Sequence, residues 1–244
     1  MQARKLSRHR ATRSTAQPRD SLNERGLRSR NKLKRAARDL LNKRGLGSLR
    51  VHDIGRSAGV AAGLFYRYFR DLREIVAEIC QDFFTELLSD PALSVECQDR
   101  YEWIFRNHCV LVSGFAENPG ILACLFGLSG DYAEFDEIWK ENAHQWNLKV
   151  ADFLQRNVTL RHDSAERMGF VLGAMTEGVV YQSLIRRTPD LLEIGRSPDD
   201  IAEVISVMWY RAIFLSDPPV KQLRSPGKRL TKPRSASAAK GKQR

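Results

Sequence analysis

Nowhere in this 244-residue chain does an uninterrupted apolar stretch approach the ~18–20 residues needed to cross a bilayer. The densest, residues 121–128, is far too short, so no membrane partner is expected. The first residues lack the apolar segment of a secretory signal and are Arg-rich and acid-poor instead. Cysteine is sparse: Cys80, Cys97, Cys109 and Cys124 include no close pair. That fits reduced thiols in a cytoplasmic protein better than a disulfide framework. Sustained period-two alternation with β-branched enrichment is missing, which argues against a sheet. The chain has no nucleophile elbow, no phosphate-cradling glycine loop and no metal-ligand cluster. His108, His144 and His162 stand on separate predicted segments without cysteine or carboxylate at ligand spacing. Neither an enzyme nor a metal or other cofactor is therefore expected.

What the chain has in excess is positive charge, placed unevenly. Residues 1–28 hold eight Lys/Arg against two acids, a net +6. Residues 29–73 hold twelve against three, a net +9. Residues 74–216 hold eleven against twenty-three, a net −12, and residues 217–244 hold nine against one, a net +8. A polyanion would be drawn to the front of the chain and repelled by its middle.

The apolar pattern divides the chain in the same way. Residues 1–28 show no helical stripe and are expected to be a disordered basic arm. From Ser29, Leu33, Ala36, Ala37, Leu40 and Leu41 fall on one face of a helix, with stop signals at Gly45 and Gly47. Short helices are predicted at 51–58 and 62–69 about a turn at Gly59, and a longer one opens at Asp71 with Glu74 as a capping box. Further helices are predicted at 95–117, 121–128, 131–157 and 163–187, with Asp131 and Asp163 as caps. A last one is predicted at 198–216 behind Ser197. The fold class is all-α. It comprises a three-helix DNA-binding domain over 29–73, a larger helical domain over 74–216 and a disordered basic tail over 217–244.

Residues 51–69 carry the functional motif. Ile54, Ala58, Val60, Phe65 and Phe69 would face inward, while Ala61, Ala62, Leu64, Arg67 and Tyr68 would project where a helix can enter a major groove. Ala36-Ala37, Leu40-Leu41, Gly45, Asp53-Ile54, Ala58-Gly59-Val60, Gly63, Tyr66-Arg67-Tyr68-Phe69 and Glu74, at their spacing, resemble the DNA-binding domain of the TetR/AcrR family over residues 30–76. The resemblance covers under a fifth of the chain. It implies a homodimeric, sequence-specific regulator, usually a repressor, released from a palindromic operator in double-stranded DNA by a small molecule. It places DNA contacts at Arg50, His52, Ala61, Ala62, Leu64, Tyr66, Arg67, Tyr68 and Arg73.

Several positions depart from the family pattern. Arg50 stands where Ser or Thr is usual, Ala61 and Ala62 where Ser and Lys are usual, Leu72 where Lys is usual, and Tyr68 where His is common. Phosphate-positioning groups are thus missing, and the basic arm is expected to supply more than its ordinary share.

In the larger domain, Gly169, Gly173 and Gly178 lie close to one side of a helix. Mid-helix glycine costs about 1 kcal/mol against alanine, so a close helix approach should offset it. The resemblance makes that approach the dimer interface; tight packing inside one subunit is the other reading. The resemblance makes Trp103, Phe115, Phe126, Trp139 and Trp146 with Glu177 candidates to line a pocket for an apolar or aromatic effector, while for any single aromatic an ordinary helical core is the better account. Two rival functions remain: a sequence-tolerant DNA organiser, and a helical ligand-binding protein whose helix-turn-helix is vestigial.

Overall fold

A computed structural model of the chain describes residues 22–94 and 97–231. Among the described residues there is no strand. The helices are α1 Glu24–Arg44, α2 Val51–Ala58, α3 Phe65–Tyr68, α4 Leu72–Leu88, α5 Arg100–Glu117, α6 Pro119–Leu128, α7 Ala133–Asn157, α8 His162–Val180, α9 Pro189–Ile194, α10 Pro198–Phe214 and α11 Ser225–Thr231. The described residues fall into two compact units, one of residues 22–89 with 114–146, the other of 90–94 and 97–113 with 147–231. Their boundary is not the expected one at residue 73, because α4 and α6 join the first unit.

In the first unit α1 begins five residues ahead of Ser29. The Asn23 side chain accepts from Gly26 N, a cap that satisfies one otherwise unpaired donor of the first turn. The end of the expected arm is therefore helix, and residues 1–21 lie outside the described part. Leu33, Ala37 and Leu41 are buried along α1; Ile75, Val76 and Ile79 are buried along α4. Beside this apolar contact runs a ladder of ion pairs in matched register. Arg30 pairs with Glu78, Lys34 with Glu78 and Asp82, and Arg38 with Glu86. Four-residue spacing on both helices puts each set on one face. The start of α6 is tied to α1 as well. Asn118 Oδ1 accepts from Arg38 Nε at 3.1 Å and Asn42 Nδ2 at 3.2 Å, while Gly120 N donates to Asn42 Oδ1 at 3.0 Å. A Cβ on Gly120 would overlap the Leu41 carbonyl, so only glycine allows this approach.

In the second unit Ser197 caps α10 as expected, and Asp200 completes a capping box with it. The two aspartates predicted as caps do not act so. α7 starts at Ala133, after Asp131, and α8 starts beside Arg161, with Asp163 inside its first turn. α8 ends at Val180 and passes into a π turn over Tyr181–Ile185. Asp163–Ile185 is long and apolar enough to span a membrane, at a mean hydropathy of 1.2, and 28% of that window is buried within the described residues. α9 was not expected from the sequence.

The expected disordered tail needs the larger correction. Residues 217–231 include a turn at Val220–Gln222 and α11, which lies on α10. Leu223 is buried with Tyr101 and Val207, and Leu230 packs against them. The buried Glu203 carboxylate accepts from Arg224 N and from Gly227 N. Two leucines and one buried carboxylate are enough to fold a segment whose composition is basic and poor in apolar residues. Residues 232–244 lie outside the described part.

Candidate nucleic-acid interface

Arg50 occupies the N-cap of α2 in extended conformation and offers no side-chain cap. Its guanidinium turns back instead, donating from Nη1 to the carbonyls of Gly47 at 3.0 Å and Leu49 at 2.8 Å. Helix α2 then runs for two turns and stops at Gly59, whose φ of 67° and ψ of 33° are left-handed. Gly55 is a second requirement, which sequence reasoning missed. A Cβ there would come within 3.1 Å of Ala62 Cα and Val60 O, so the recognition segment crosses α2 at this point. A glycine four residues ahead of the turn glycine was the available signal.

The recognition segment is a short 3-10 turn, Ala62–Leu64, running into α3. Phe65 and Phe69 are fully buried, as expected from their spacing, and their rings lie 5.5 Å apart. Ala61, Gly63, Tyr66 and Arg67 are exposed, while Ala62 and Leu64 are half-buried. Tyr66, at 49% exposure, stands edge-on to Phe65 with ring centroids 5.3 Å apart. Tyr68 is a correction: it is only 4% exposed and belongs to the core of the domain. Lying three residues after Phe65 in a one-turn helix, it shares the inward face.

The remaining expected contacts are placed as follows. His52 is exposed on α2, and its Nδ1 accepts from Arg56 Nη2 at 3.1 Å, which leaves Nε2–H as the free donor of the ring. Arg56, exposed beside it, was missing from the expected set. Arg73 is exposed, but its Nε pairs with Glu134 at 2.8 Å and its guanidinium lies 5.0 Å from the centre of the Tyr132 ring. Its charge is thus largely spoken for within the unit. The arrangement presents an apolar and aromatic recognition face, Ala61 to Tyr66, flanked by the cations of Arg56 and Arg67. Such a face suits thymine methyl groups and base edges rather than phosphate alone.

Of the expected effector residues, Phe115, Phe126 and Trp139 come together in the first unit. Phe126 and Phe115 lie 5.0 and 6.3 Å from the Trp139 ring, and Phe84 joins them at 6.0 Å. Trp146 is buried, and its Nε1 has no hydrogen-bond partner among the described residues. Trp103 belongs to the second unit and stacks on Phe153, with ring centroids 3.9 Å apart. Glu177 is half-buried on α8. Of the interface glycines, Gly169 and Gly173 abut Asn147 of α7 in the same chain, so intrachain packing accounts for both. Gly178 is exposed and faces open space.

A helix, a left-handed glycine turn and a short second helix with an exposed aromatic-basic face define a helix-turn-helix DNA-binding domain in an all-helical chain. Residues 33–79 match the N-terminal domain of bacterial regulatory proteins of the tetR family. Solved structures match over most of the chain. A transcriptional regulator from Rhodococcus sp. Rha1 is 19% identical, covers 79% of this chain and 99% of its own, and superposes with a TM-score of 0.63. A TetR-family transcriptional regulator from Streptomyces coelicolor is 15% identical, covers 78% and 90%, and reaches 0.60. One from Syntrophomonas wolfei is 17% identical, covers 76% and 95%, and reaches 0.57. No curated protein matches the chain by sequence. At these identities the likeness is one of fold.

Proposed function

We propose that the protein is a transcriptional regulator that reads a palindromic operator as a homodimer and leaves it when an apolar or aromatic small molecule enters its helical part. The carrying observation is the exposed pair Tyr66 and Arg67 on a recognition helix whose other face, Phe65, Tyr68 and Phe69, is locked in the core. Placement of α8 supports the dimer. Phe170 and Val171 are 46% and 70% exposed, and with Ala174 and Gly178 they form an apolar stripe outside the chain's own core. Two copies joined there would present two recognition helices, and a separation of ~34 Å addresses successive major grooves. The acidic middle of the chain would keep the rest of the dimer off the duplex. Its place of action on this reading is the cytoplasmic nucleoid, and its effect is repression.

The test is selection of random duplexes by the purified full chain at ~150 mM salt, where long-range attraction is partly screened. A palindromic motif is expected. Arg67→Ala should weaken its binding by about 1–3 kcal/mol and relax preference at the contacted base. Tyr66→Ala should do likewise. No enriched motif, with binding that follows salt alone, would replace this reading with that of a sequence-tolerant DNA organiser.

A further inference from the structure

Beyond Arg56 and Arg67, which flank the recognition face, the helix-turn-helix is short of cations able to hold the DNA backbone. Ala61 and Ala62 carry none, Arg50 is turned onto carbonyls, and Arg73 is paired with Glu134. Backbone contacts set the register of a recognition helix, so a working reader needs them from elsewhere.

Helix α1 has cations to spare. Arg25, Arg28, Lys32 and Arg35 occupy i, i+3, i+7 and i+10, and all four are exposed. At 1.5 Å per residue this stripe is ~15 Å long, on the order of four base-pair steps of duplex. Lys32 and Arg35 make no ion pair among the described residues, and Arg28 has only the exposed Glu24 at 3.3 Å. The acids within reach on α4 are already engaged, Asp82 by Lys34 and Glu86 by Arg38. A groove of about 610 Å³ opens between the two helices, lined by Arg28, Asn31, Lys32 and Arg35 on one side and Asp82 and Glu86 on the other. With Lys34 and Arg38 it holds five cations against two acids, a net +3. Helix physics opposes this placement. Like charges at i, i+3 and i, i+4 repel, and cations in the first turns oppose the helix dipole. A polyanion lying along the stripe offsets both.

We propose that the exposed stripe of α1 is a second phosphate-binding surface, holding the backbone of duplex DNA that flanks the half-site read by α3. It adds affinity without reading bases, and it takes the place of the anchors absent from the motif. The inference rests on the DNA-binding reading above.

The experiment compares wild type with the Lys32→Ala/Arg35→Ala double variant, as full chains, on the selected duplex with long flanks and on the same duplex trimmed to its core. Circular dichroism and thermal melting first establish that the variant folds, as expected for two exposed positions. On long duplex the slope of log K against log salt should fall by about 2 units, near 0.9 for each phosphate no longer neutralised. Affinity at low salt should drop at least tenfold, while the preference for the selected core over a scrambled one stays unchanged. On trimmed duplex the two proteins should bind alike. Equal slopes and affinities on long duplex would overturn the proposal and assign the stripe to another partner, such as an acidic protein surface. A changed core preference would overturn it too, since the stripe would then help read sequence. Should wild type prefer no sequence at all, the regulator reading falls, and the slope difference on random duplex still decides the stripe.

Discussion

His108 lies on α5 in the second unit at 1% exposure, with Nδ1 2.9 Å from Ser206 Oγ. That hydroxyl donates its only proton to Ala202 O at 2.6 Å, so His108 Nδ1–H is the donor and Nε2 is the bare nitrogen. Nε2 has no partner among the described residues. Burial pushes the imidazole pKa down to about 3, and the ring is neutral throughout the physiological range. A base whose folded pKa lies below its unfolded value of about 6.5 binds fewer protons folded than unfolded. Its contribution to stability is therefore complete above pH ~6.5 and is lost as the pH falls from there toward 3, by up to about tenfold in the folding equilibrium per unit. His108→Asn keeps a donor near the Nδ1 position and removes the titration. In urea unfolding between pH 7 and pH 4.5 the variant should lose clearly less stability than wild type. Parallel profiles would place the acid sensitivity in other groups.

The α1–α4 ladder is a feature of elements, because neither helix alone holds its charges in this way. Arg30 and Lys34 are nearly buried, and Arg30 also lies 4.7 Å from the centre of the Phe69 ring at the end of α3. Removing the acid beneath them leaves a buried cation unpaired. Glu78→Gln leaves Lys34 its Asp82 partner but takes the charge from Arg30, and should cost about 1–3 kcal/mol, the scale of a buried group left without its charged partner. Glu86→Gln, at the exposed end of the ladder, should cost under about 1 kcal/mol. Denaturant unfolding of both variants distinguishes a graded ladder from a merely decorative one, in which the two losses would be equal. Helix starts show the same dependence on surroundings. Ser197-Pro198-Asp199-Asp200 was legible as a start because its cap, proline and acids are all local. Asp131 and Asp163 carried the same kind of local signal, yet α7 and α8 start at other residues.

On the scale of the whole molecule, the proposed dimer rests on an apolar face of α8 that the described residues leave uncovered. Phe170→Glu together with Val171→Glu alters only exposed positions, so the helix content should be unchanged. Light scattering is expected to find wild type as a dimer and the paired variant as a monomer. The paired variant should also bind a palindromic duplex at least tenfold more weakly, because the second half-site is no longer linked to the first. An unchanged mass would move the dimer contact away from α8.

From sequence alone came the all-helical class, the glycine turn at Gly59, the inward Phe65 and Phe69, and the separation of basic front from acidic middle. Those follow from residues within two helical turns of one another, or from charge, which needs no partner to be counted. Tertiary structure decided what each group is free to do. It turned Tyr68 inward, tied Arg73 to Glu134, engaged the acids of α4 with Lys34 and Arg38, and folded residues 217–231 against α10 through Leu223 and Glu203. Each of these depends on a residue tens of positions away, or on which face of a one-turn helix is buried. The reason is that a 3.6-residue period reports the existence of a buried face, while only the packed chain decides which charges and rings meet across it.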